Sequence, residues 1–332
     1  MAVSKKIIFL GTPDFAVPSL DALVQAGYDV VAVVTAPDQP SGRGLQLRAS
    51  PVKQCALSHG IPVLQPEKLK NEDFQKQLAS YKAELFIVVA FRMLPETVWK
   101  MPPLGTFNLH ASLLPQYRGA APIHWAVMNG ETETGLTTFF LKQEIDTGMI
   151  LFQEKMLIGP EETTGELHNR MMKAGAKLLV KTTDAIFSGN VHPIDQASLL
   201  QASTPHSSLL QASTPLKSAP KIFKEDCRID WRKNSRDIYN MVRGLNPVPT
   251  AWTTLVSPEG ENLQFKIYRC TIYSVRQGML PGTIETDGKN YIHVKTGDGV
   301  LALEDVQLAG KRRMKVDEFL RGFRLTPLWR LS

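Results

Sequence analysis

The chain has 332 residues, of which 43% are hydrophobic, and a formal net charge of +6 at pH 7. This length exceeds that of a usual single domain, so we expect two domains with ordinary hydrophobic cores. The longest apolar runs, residues 30–34 and 85–91, are far too short to cross a bilayer, and the first eleven residues lack the long apolar region of a signal peptide. We therefore expect a cytoplasmic protein with no membrane partner.

The charge is distributed unevenly along the chain. Residues 1–216 contain 18 Lys and Arg against 19 Asp and Glu, a net charge of −1, whereas residues 217–332 contain 20 against 13, a net charge of +7. A basic surface confined to one part of a chain is typical of a polyanionic partner, although a merely solubilising surface gives the same pattern.

The three cysteines indicate neither a disulfide framework nor a zinc site. Cys55, Cys227 and Cys270 are odd in number, widely separated and outside any CxxC or Cys/His pattern. We expect reduced thiols without a function of their own, and no metal.

The first half of the chain alternates predicted strands and helices. Apolar runs predict strands at residues 6–10, 29–35, 62–65, 83–91, 106–112, 133–142 and 149–157. Helical patterns lie at residues 15–25, 52–59, 72–80, 122–129 and 163–187, the last introduced by the capping box Thr163-Thr-Gly-Glu166. This alternation predicts an α/β domain with a Rossmann-like, mostly parallel sheet. Neither GxGxxG nor a P-loop occurs, so no nucleotide cofactor is predicted.

A long polar segment at residues 36–50 interrupts this alternation. It is rich in Pro and Gly and carries Arg43 and Arg48. Loops of this length in compact domains are usually functional or mobile.

Two polar side chains project the same way from the predicted strand at residues 106–112. Residues two apart on a strand share a face, so Asn108 and His110 point to one spot, and Asp146 could return beside them after the next strand. An amide and an imidazolium can stabilise the oxygen of an attacked carbonyl, while a carboxylate orients the ring.

The trio suggests acyl transfer without a covalent intermediate, because no Ser or Cys nucleophile motif accompanies it. The pattern has another interpretation: Asn108 and His110 bonded to backbone groups, with Asp146 only forming a turn.

The last third of the chain predicts a smaller all-β domain. Residues 190–219 are interpreted as a linker, in which the unit SLLQASTP at residues 198–205 recurs at residues 208–215. After a helical pattern at residues 235–243, alternating runs predict strands at residues 251–256, 264–273, 282–285, 291–295 and 300–308. Five short strands are typical of an OB-like barrel, a frequent nucleic-acid platform.

Several motifs around the trio resemble the signature of the folate-dependent formyltransferases. They are Asn108-x-His110, Ser112-Leu-Leu-Pro115, Arg118-Gly119, Pro122 and Asp146-Thr-Gly148. The flanking segments resemble the members of that superfamily that formylate methionyl-tRNA. These segments are Gly11-Thr-Pro-Asp-Phe15, residues 37–44, Arg228-Ile-Asp-Trp231, Asn246-Pro-Val-Pro249 and Thr296-Gly-Asp-Gly299. The likeness covers nearly the whole chain.

The resemblance implies that 10-formyltetrahydrofolate is the co-substrate and that Asn108, His110 and Asp146 are catalytic, without a metal. It implies a catalytic domain at residues 1–189, the linker at 190–219 and an OB-like tRNA-binding domain at 220–332.

The residues implied to hold the pterin are Phe91, Arg92, Met93, Leu94, Ser112, Leu113, Leu114 and Pro115, with a cis peptide before Pro115. The first of these segments departs from the usual pattern, since it is one residue shorter and has Arg92 where Gly is frequent.

The resemblance also implies that initiator methionyl-tRNA is the partner of a monomeric enzyme. Residues 36–50 match an insertion that wedges at the acceptor end of the tRNA, with Arg43 at the position of its key arginine. Candidates for phosphate contacts are Lys217, Lys221 and Lys224 near the linker, and Lys311, Arg312 and Arg313 in the barrel.

Two other functions stay open at this stage. A formyltransferase acting on a sugar nucleotide or glycinamide ribonucleotide would share the chemistry, but it would need neither the segment at residues 36–50 nor a basic C-terminal domain. A non-catalytic RNA-binding module would explain the charge but not an intact Asn108, His110 and Asp146.

Overall fold

The computed structural model describes residues 5–41, 46–202, 215–274 and 280–332. Arg43 and most of the second SLLQASTP copy lie outside the described residues. The chain divides into two compact units, one of residues 1–119, 135–156 and 168–218, and one of residues 120–134, 157–167 and 219–332. Both units are assembled from separated segments, so the domain boundaries drawn along the sequence stay a prediction.

Strands and helices account for most of the described chain. The strands are β1 (Lys6–Gly11), β2 (Asp29–Val34), β3 (Gln39–Ser41), β4 (Gln46–Arg48), β5 (Val63–Leu64), β6 (Leu85–Val89), β7 (Thr106–His110), β8 (Arg118–Gly119), β9 (Glu133–Phe140), β10 (Ile150–Leu157), β11 (Ser218–Ala219), β12 (Ala251–Val256), β13 (Asn262–Ser274), β14 (Ile284–Thr286), β15 (Ile292–Lys295), β16 (Val300–Leu308), β17 (Met314–Lys315) and β18 (Arg330–Leu331). The helices are α1 (Val17–Gln25), α2 (Pro51–Ser58), α3 (Glu72–Ser80), α4 (Glu96–Trp99), α5 (Pro122–Met128), α6 (Thr164–Phe187), α7 (Gln196–Ala202), α8 (Ser235–Gly244) and α9 (Val316–Gly322). Among the described residues, no helix combines the length and apolarity that a bilayer crossing requires.

A seven-stranded sheet in the order β10-β9-β7-β6-β1-β2-β5 forms the core of the first unit. The pairs β5–β2, β2–β1, β1–β6 and β6–β7 are parallel, and β7–β9 is antiparallel. Strands in such a sheet are covered on both faces, which explains why all five residues of β6 are buried and apolar. The prediction of a Rossmann-like, mostly parallel sheet is confirmed.

Two segments contain structure that their composition did not predict. Within residues 36–50, β3 and β4 pair antiparallel, with Gln39 opposite Arg48. Within the linker, α7 occupies residues 196–202, and Ile194 pairs with Ile150 at the start of β10. The first part of the linker is therefore folded against the first unit.

The second unit contains an antiparallel sheet in the order β14-β15-β16-β13-β12-β18, with β17 added to β16. Its two edges meet, because Thr283 bridges Arg330 and the Leu331 N–H donates to the Gly282 carbonyl at 2.9 Å. A Cβ atom on Gly282 would lie 2.1 Å from the Leu331 carbonyl oxygen, so this closure requires glycine. The sheet is thus a nearly closed barrel, and the predicted OB-like domain is confirmed.

The predicted capping box begins α6. The Thr163 N–H and hydroxyl both donate to Glu166 Oε2 at 2.8 Å, and the Glu166 N–H donates to Thr163 Oγ1 at 3.3 Å. These bonds satisfy donors at the helix start that have no partner within the helix. The backbone N–H of Thr163, followed by its hydroxyl, holds the pKa of the Glu166 carboxyl below its usual value.

Replacing Glu166 by Ala should lower the free energy of unfolding at neutral pH by about 0.5 kcal/mol, a small amount because the carboxylate is exposed and screened. The folded-state pKa of Glu166 is depressed, so its contribution is present above the unfolded-state pKa of 4.5 and is lost as the pH falls through the folded-state value. Denaturant unfolding of both proteins at neutral and acid pH measures this. A difference between them that persists undiminished in acid would contradict the assignment.

Candidate active site at the end of β7

A buried imidazole at the end of β7 has an acceptor at each ring nitrogen. His110 is 6% exposed. Its Nδ1 lies 3.7 Å from Asp146 Oδ2, and its Nε2 lies 2.9 Å from the Tyr117 carbonyl oxygen. The Nε2 contact is a hydrogen bond, whereas the 3.7 Å at Nδ1 is an ion-pair distance and too long for a hydrogen bond. The structure therefore places the His110 ring beside the Asp146 carboxylate.

Asn108 shares the strand face of His110 and lacks a hydrogen-bond partner. Its Oδ1 is buried and accepts no hydrogen bond from any described residue. Buried polar groups are nearly always paired, so this unpaired oxygen makes Asn108 a candidate for contact with a ligand. An amide offers both donors and an acceptor, and the ligand decides which faces it.

Asp146 reaches His110 from the opposite end of β7. The β7–β9 register places Phe140 opposite Phe107, so β9 ends near the start of β7. The segment after β9 then returns to His110, where Asp146 adopts a positive φ of 54° and its Oδ2 accepts from the Gly119 N–H at 2.9 Å. Strand pairing alone therefore does not position this carboxylate.

The turn before β10 also depends on a close backbone approach. A Cβ atom on Gly148 would lie 1.5 Å from the Phe140 carbonyl oxygen. Only glycine fits there, which gives the Asp146-Thr-Gly148 motif a steric reason.

The first predicted folate segment lines a cavity of about 530 Å³ in the first unit. The lining residues are Lys68, Leu69, Lys70, Arg92, Met93, Leu94, Pro95, Glu96, Trp99 and Gln143. Met93 is 67% exposed and Leu94 is buried, while the guanidinium of Arg92 donates to the carbonyls of Pro66 and Glu67. Phe91 is not part of the lining; the Arg92 guanidinium lies 5.7 Å from its ring centroid.

The second predicted folate segment is held mostly by its own contacts. Ser112 is fully buried, and its hydroxyl donates to the Gln116 carbonyl at 2.7 Å. The Leu114 N–H donates to Thr137 Oγ1 at 3.1 Å, and the Leu114–Pro115 peptide bond is cis. Leu113 is half-buried, whereas Leu114 and Pro115 are buried. Any ligand contact from Ser112 or Leu114 would come from backbone atoms.

The basic residues near the linker are exposed and lie beside aromatic rings. Lys221 Nζ lies 5.5 Å from the Phe223 ring centroid, and Lys224 Nζ lies 5.7 Å from that of Trp252. Lys217 is also exposed, and its backbone N–H donates to Gln116 Oε1 at 2.8 Å. The two aromatic residues were not predicted as partners of the lysines. For Trp252 the reason is that alternation along β12 explained it equally well as a core residue.

The basic cluster Lys311-Arg-Arg is exposed, but both arginines have carboxylate partners. Arg312 pairs with Glu318, and Arg313 Nε donates to Asp305 Oδ2 at 2.9 Å. The Asp305 carboxylate raises the pKa of Arg313 above its usual value.

Outside this site, three side chains with metal-ligand chemistry meet between α1 and α2. Asp21 Oδ1 accepts from Cys55 Sγ at 3.1 Å and lies 2.7 Å from His59 Nε2. Burial, reinforced by Asp21, raises the pKa of the Cys55 thiol to about 12. The three groups satisfy one another as a hydrogen-bonded link between the helices.

Comparison with known proteins gives one family. Residues 5–183 match the formyl transferase family, and residues 221–324 match its C-terminal domain. Methionyl-tRNA formyltransferases of Bacteroides fragilis and Azobacteroides pseudotrichonymphae are 52% and 54% identical, covering 98% and 97% of this chain and the same shares of theirs. The solved N-formyltransferase of Helicobacter canadensis, in complex with folinic acid and dTDP-3-aminofucose, shares the fold, with a TM-score of 0.59 at 18% identity over 93% of this chain and 99% of its own. The chain belongs to the formyl transferase family and, within it, to the methionyl-tRNA formyltransferases.

Proposed function

We propose that this chain transfers the formyl group of 10-formyltetrahydrofolate to the α-amine of initiator methionyl-tRNA, as a cytoplasmic monomer that supports translation initiation. The observation that carries the proposal is the buried His110–Asp146 pair beside an Asn108 amide with no partner. High identity over nearly the full length to relatives named for this activity supports the choice of acceptor.

The three side chains have separate roles in this reaction. The neutral amine attacks the formyl carbon, so negative charge develops on the formyl oxygen. The Asn108 amide donates to that oxygen, and the His110 imidazolium stabilises it, exchanging the Tyr117 carbonyl for the oxygen as the substrates bind. Asp146 pairs with the ring and, through water, accepts the proton that the amine loses. When the bond to N10 breaks, that nitrogen takes up a proton, which balances the reaction.

The residues around the cavity fit the folate co-substrate, which supplies the formyl group. The cavity volume is in the usual range for a small-molecule site, and its walls combine apolar Leu94 and Trp99 with the cationic Lys68 and Lys70. Such walls suit a flat ring with an acidic tail. Gln143, in the segment that carries Asp146, also belongs to the lining.

The C-terminal third of the chain provides the charge for RNA. Exposed lysines beside aromatic rings, as at Lys221 with the exposed Phe223 and Lys224 with the half-buried Trp252, are typical of surfaces that follow a phosphate backbone and stack on bases. The net charge of +7 over residues 217–332 (20 basic, 13 acidic) has the sign that tRNA requires.

Replacing Asn108 or His110 by Ala should lower turnover about a hundredfold or more while tRNA binding is retained, since loss of one oxyanion donor costs about 3 to 4 kcal/mol. Steady-state kinetics and a tRNA-binding assay measure the two effects. His59→Ala is the matched control, because His59 also pairs with an aspartate but lies outside the site. Near-normal turnover of either variant would reject the catalytic assignment.

Release of tetrahydrofolate identifies the acceptor. The chain should release it rapidly from 10-formyltetrahydrofolate with methionyl-tRNA, and only at background rate with an amino-sugar nucleotide or glycinamide ribonucleotide. Faster release with a small acceptor would support that acceptor instead. Binding of tRNA without release in any mixture would identify an RNA-binding module.

Truncating Lys311, Arg312 and Arg313 to Ala should weaken tRNA binding and flatten its dependence on salt. The reason is that each phosphate contact adds about 0.9 to the slope of log binding constant against log salt concentration. We expect the Lys311 change to have the largest effect, since Arg312 and Arg313 pair with carboxylates. Lys177, exposed on α6 in the first unit, provides the control Lys177→Ala. An unchanged slope in the triple variant would refute the phosphate role.

A further inference from the structure

Strand pairing holds the two ends of the segment that carries Asp146. The Leu141 N–H donates to the Thr106 carbonyl at 2.8 Å, at the start of β7, and the Phe140 N–H donates to the Met149 carbonyl at 2.9 Å. His110 is at the other end of β7, about 13 Å from Thr106 at the usual rise per residue. Asp146 lies between the paired ends of the segment and needs further contacts to stay beside the ring.

Gln196, the first residue of α7, supplies those contacts. Its Nε2 donates to the backbone carbonyls of Asp146 at 2.9 Å and Gly148 at 2.8 Å. Its Oε1 accepts from Arg118 Nε at 3.1 Å and Nη2 at 2.6 Å. The side chain is 2% exposed, and each N–H and each lone pair of its amide has a partner.

Gln196 is itself fixed to the sheet. Ile194 and Ile150 exchange two backbone hydrogen bonds of 2.8 Å, and Leu199 packs against the buried cluster of Leu114, Phe139 and Ile150. Arg118 precedes Gly119, whose N–H donates to Asp146 Oδ2. The backbone and the carboxylate of Asp146 are thus held through one connected set of groups.

We propose that Gln196 is a positioning residue for formyl transfer: it holds the turn at residues 146–148 so that the Asp146 carboxylate stays at His110. The proposal rests on the proposed function, in which that carboxylate pairs with the ring. Only an amide can donate to two carbonyls and accept from a guanidinium at once. A glutamate of the same size would keep the Arg118 contact but would set oxygen against both carbonyls.

The experiment compares Gln196→Glu and Gln196→Ala with the full-length wild-type chain. Ser188→Ala is the control, because the Ser188 hydroxyl also donates to two backbone carbonyls, those of Asp184 at 2.8 Å and Ala185 at 3.1 Å, just after a helix that contributes nothing to the trio or the cavity lining. Steady-state kinetics give kcat and both KM values. Hydrogen exchange at the Gly119 amide reports the position of the Asp146 carboxylate independently of activity.

Both Gln196 variants should lose about tenfold to a hundredfold in kcat with KM unchanged, because a displacement of about 1 Å at a catalytic group costs up to that much. The Gly119 amide should exchange faster in both, while Ser188→Ala behaves as wild type. Gln196→Glu retains side-chain volume and the Arg118 contact, so it remains informative if Gln196→Ala fails to fold.

Three results would overturn the proposal: unchanged kcat in both variants, normal activity of Gln196→Glu beside a slow Gln196→Ala, or a lower kcat with unchanged Gly119 exchange.

The variant Asp146→Asn distinguishes failure of this proposal from failure of the proposed function. If Asp146→Asn is fully active, the catalytic assignment of Asp146 fails, whatever Gln196 does. If it is slow, adding Gln196→Ala should cost little more, since both changes act through the same carboxylate.

Discussion

The structure of the site depends on the burial of an imidazole between two acceptors. A ring removed from water needs partners for its nitrogens, and a charged ring also needs a nearby countercharge. His110 meets both needs with the Tyr117 carbonyl and the Asp146 carboxylate. These groups come from separate segments, so only the folded chain brings all three together.

Two of these segments bring their acceptor to the ring through an unusual backbone conformation. Tyr117 adopts a positive φ of 60°, and Asp146 one of 54°, conformations that side chains other than glycine rarely adopt. Such conformations persist when the surrounding contacts determine them, and they are common in functional sites. Here the surrounding contacts include the Gly119 N–H and the Gln196 amide.

The arrangement also separates rigid from adjustable parts of the site. Ser112 and Leu114 are anchored to Thr137 on β9, so the wall beside the ring is part of the sheet. Met93 is exposed on the cavity wall, whereas the guanidinium of Arg92 beside it is bonded to the carbonyls of Pro66 and Glu67. The proposed site would thus combine fixed groups beside the ring with an exposed side chain that can adjust.

The sequence by itself determined the elements and their order. Apolar runs predicted β6 and β7, Thr163 and Glu166 predicted the start of α6, and five alternating runs predicted the main strands of the barrel, because these signals are local in the chain. It also selected Asn108, His110 and Asp146, although only resemblance to a family gave them roles, and those roles stay predictions.

Tertiary structure alone decided how the trio is assembled. No spacing rule shows that residues 141–149 bring Asp146 to the end of β7, or that the carbonyl of Tyr117 faces the ring. Nor does one show that Gln196, in the segment predicted to be a linker, bonds to the turn at residues 146–148. Backbone groups carry no sequence signal, and a lone glutamine in a polar segment has no periodic pattern to mark it. These contacts join residues up to 50 positions apart, so only the packed chain brings them together.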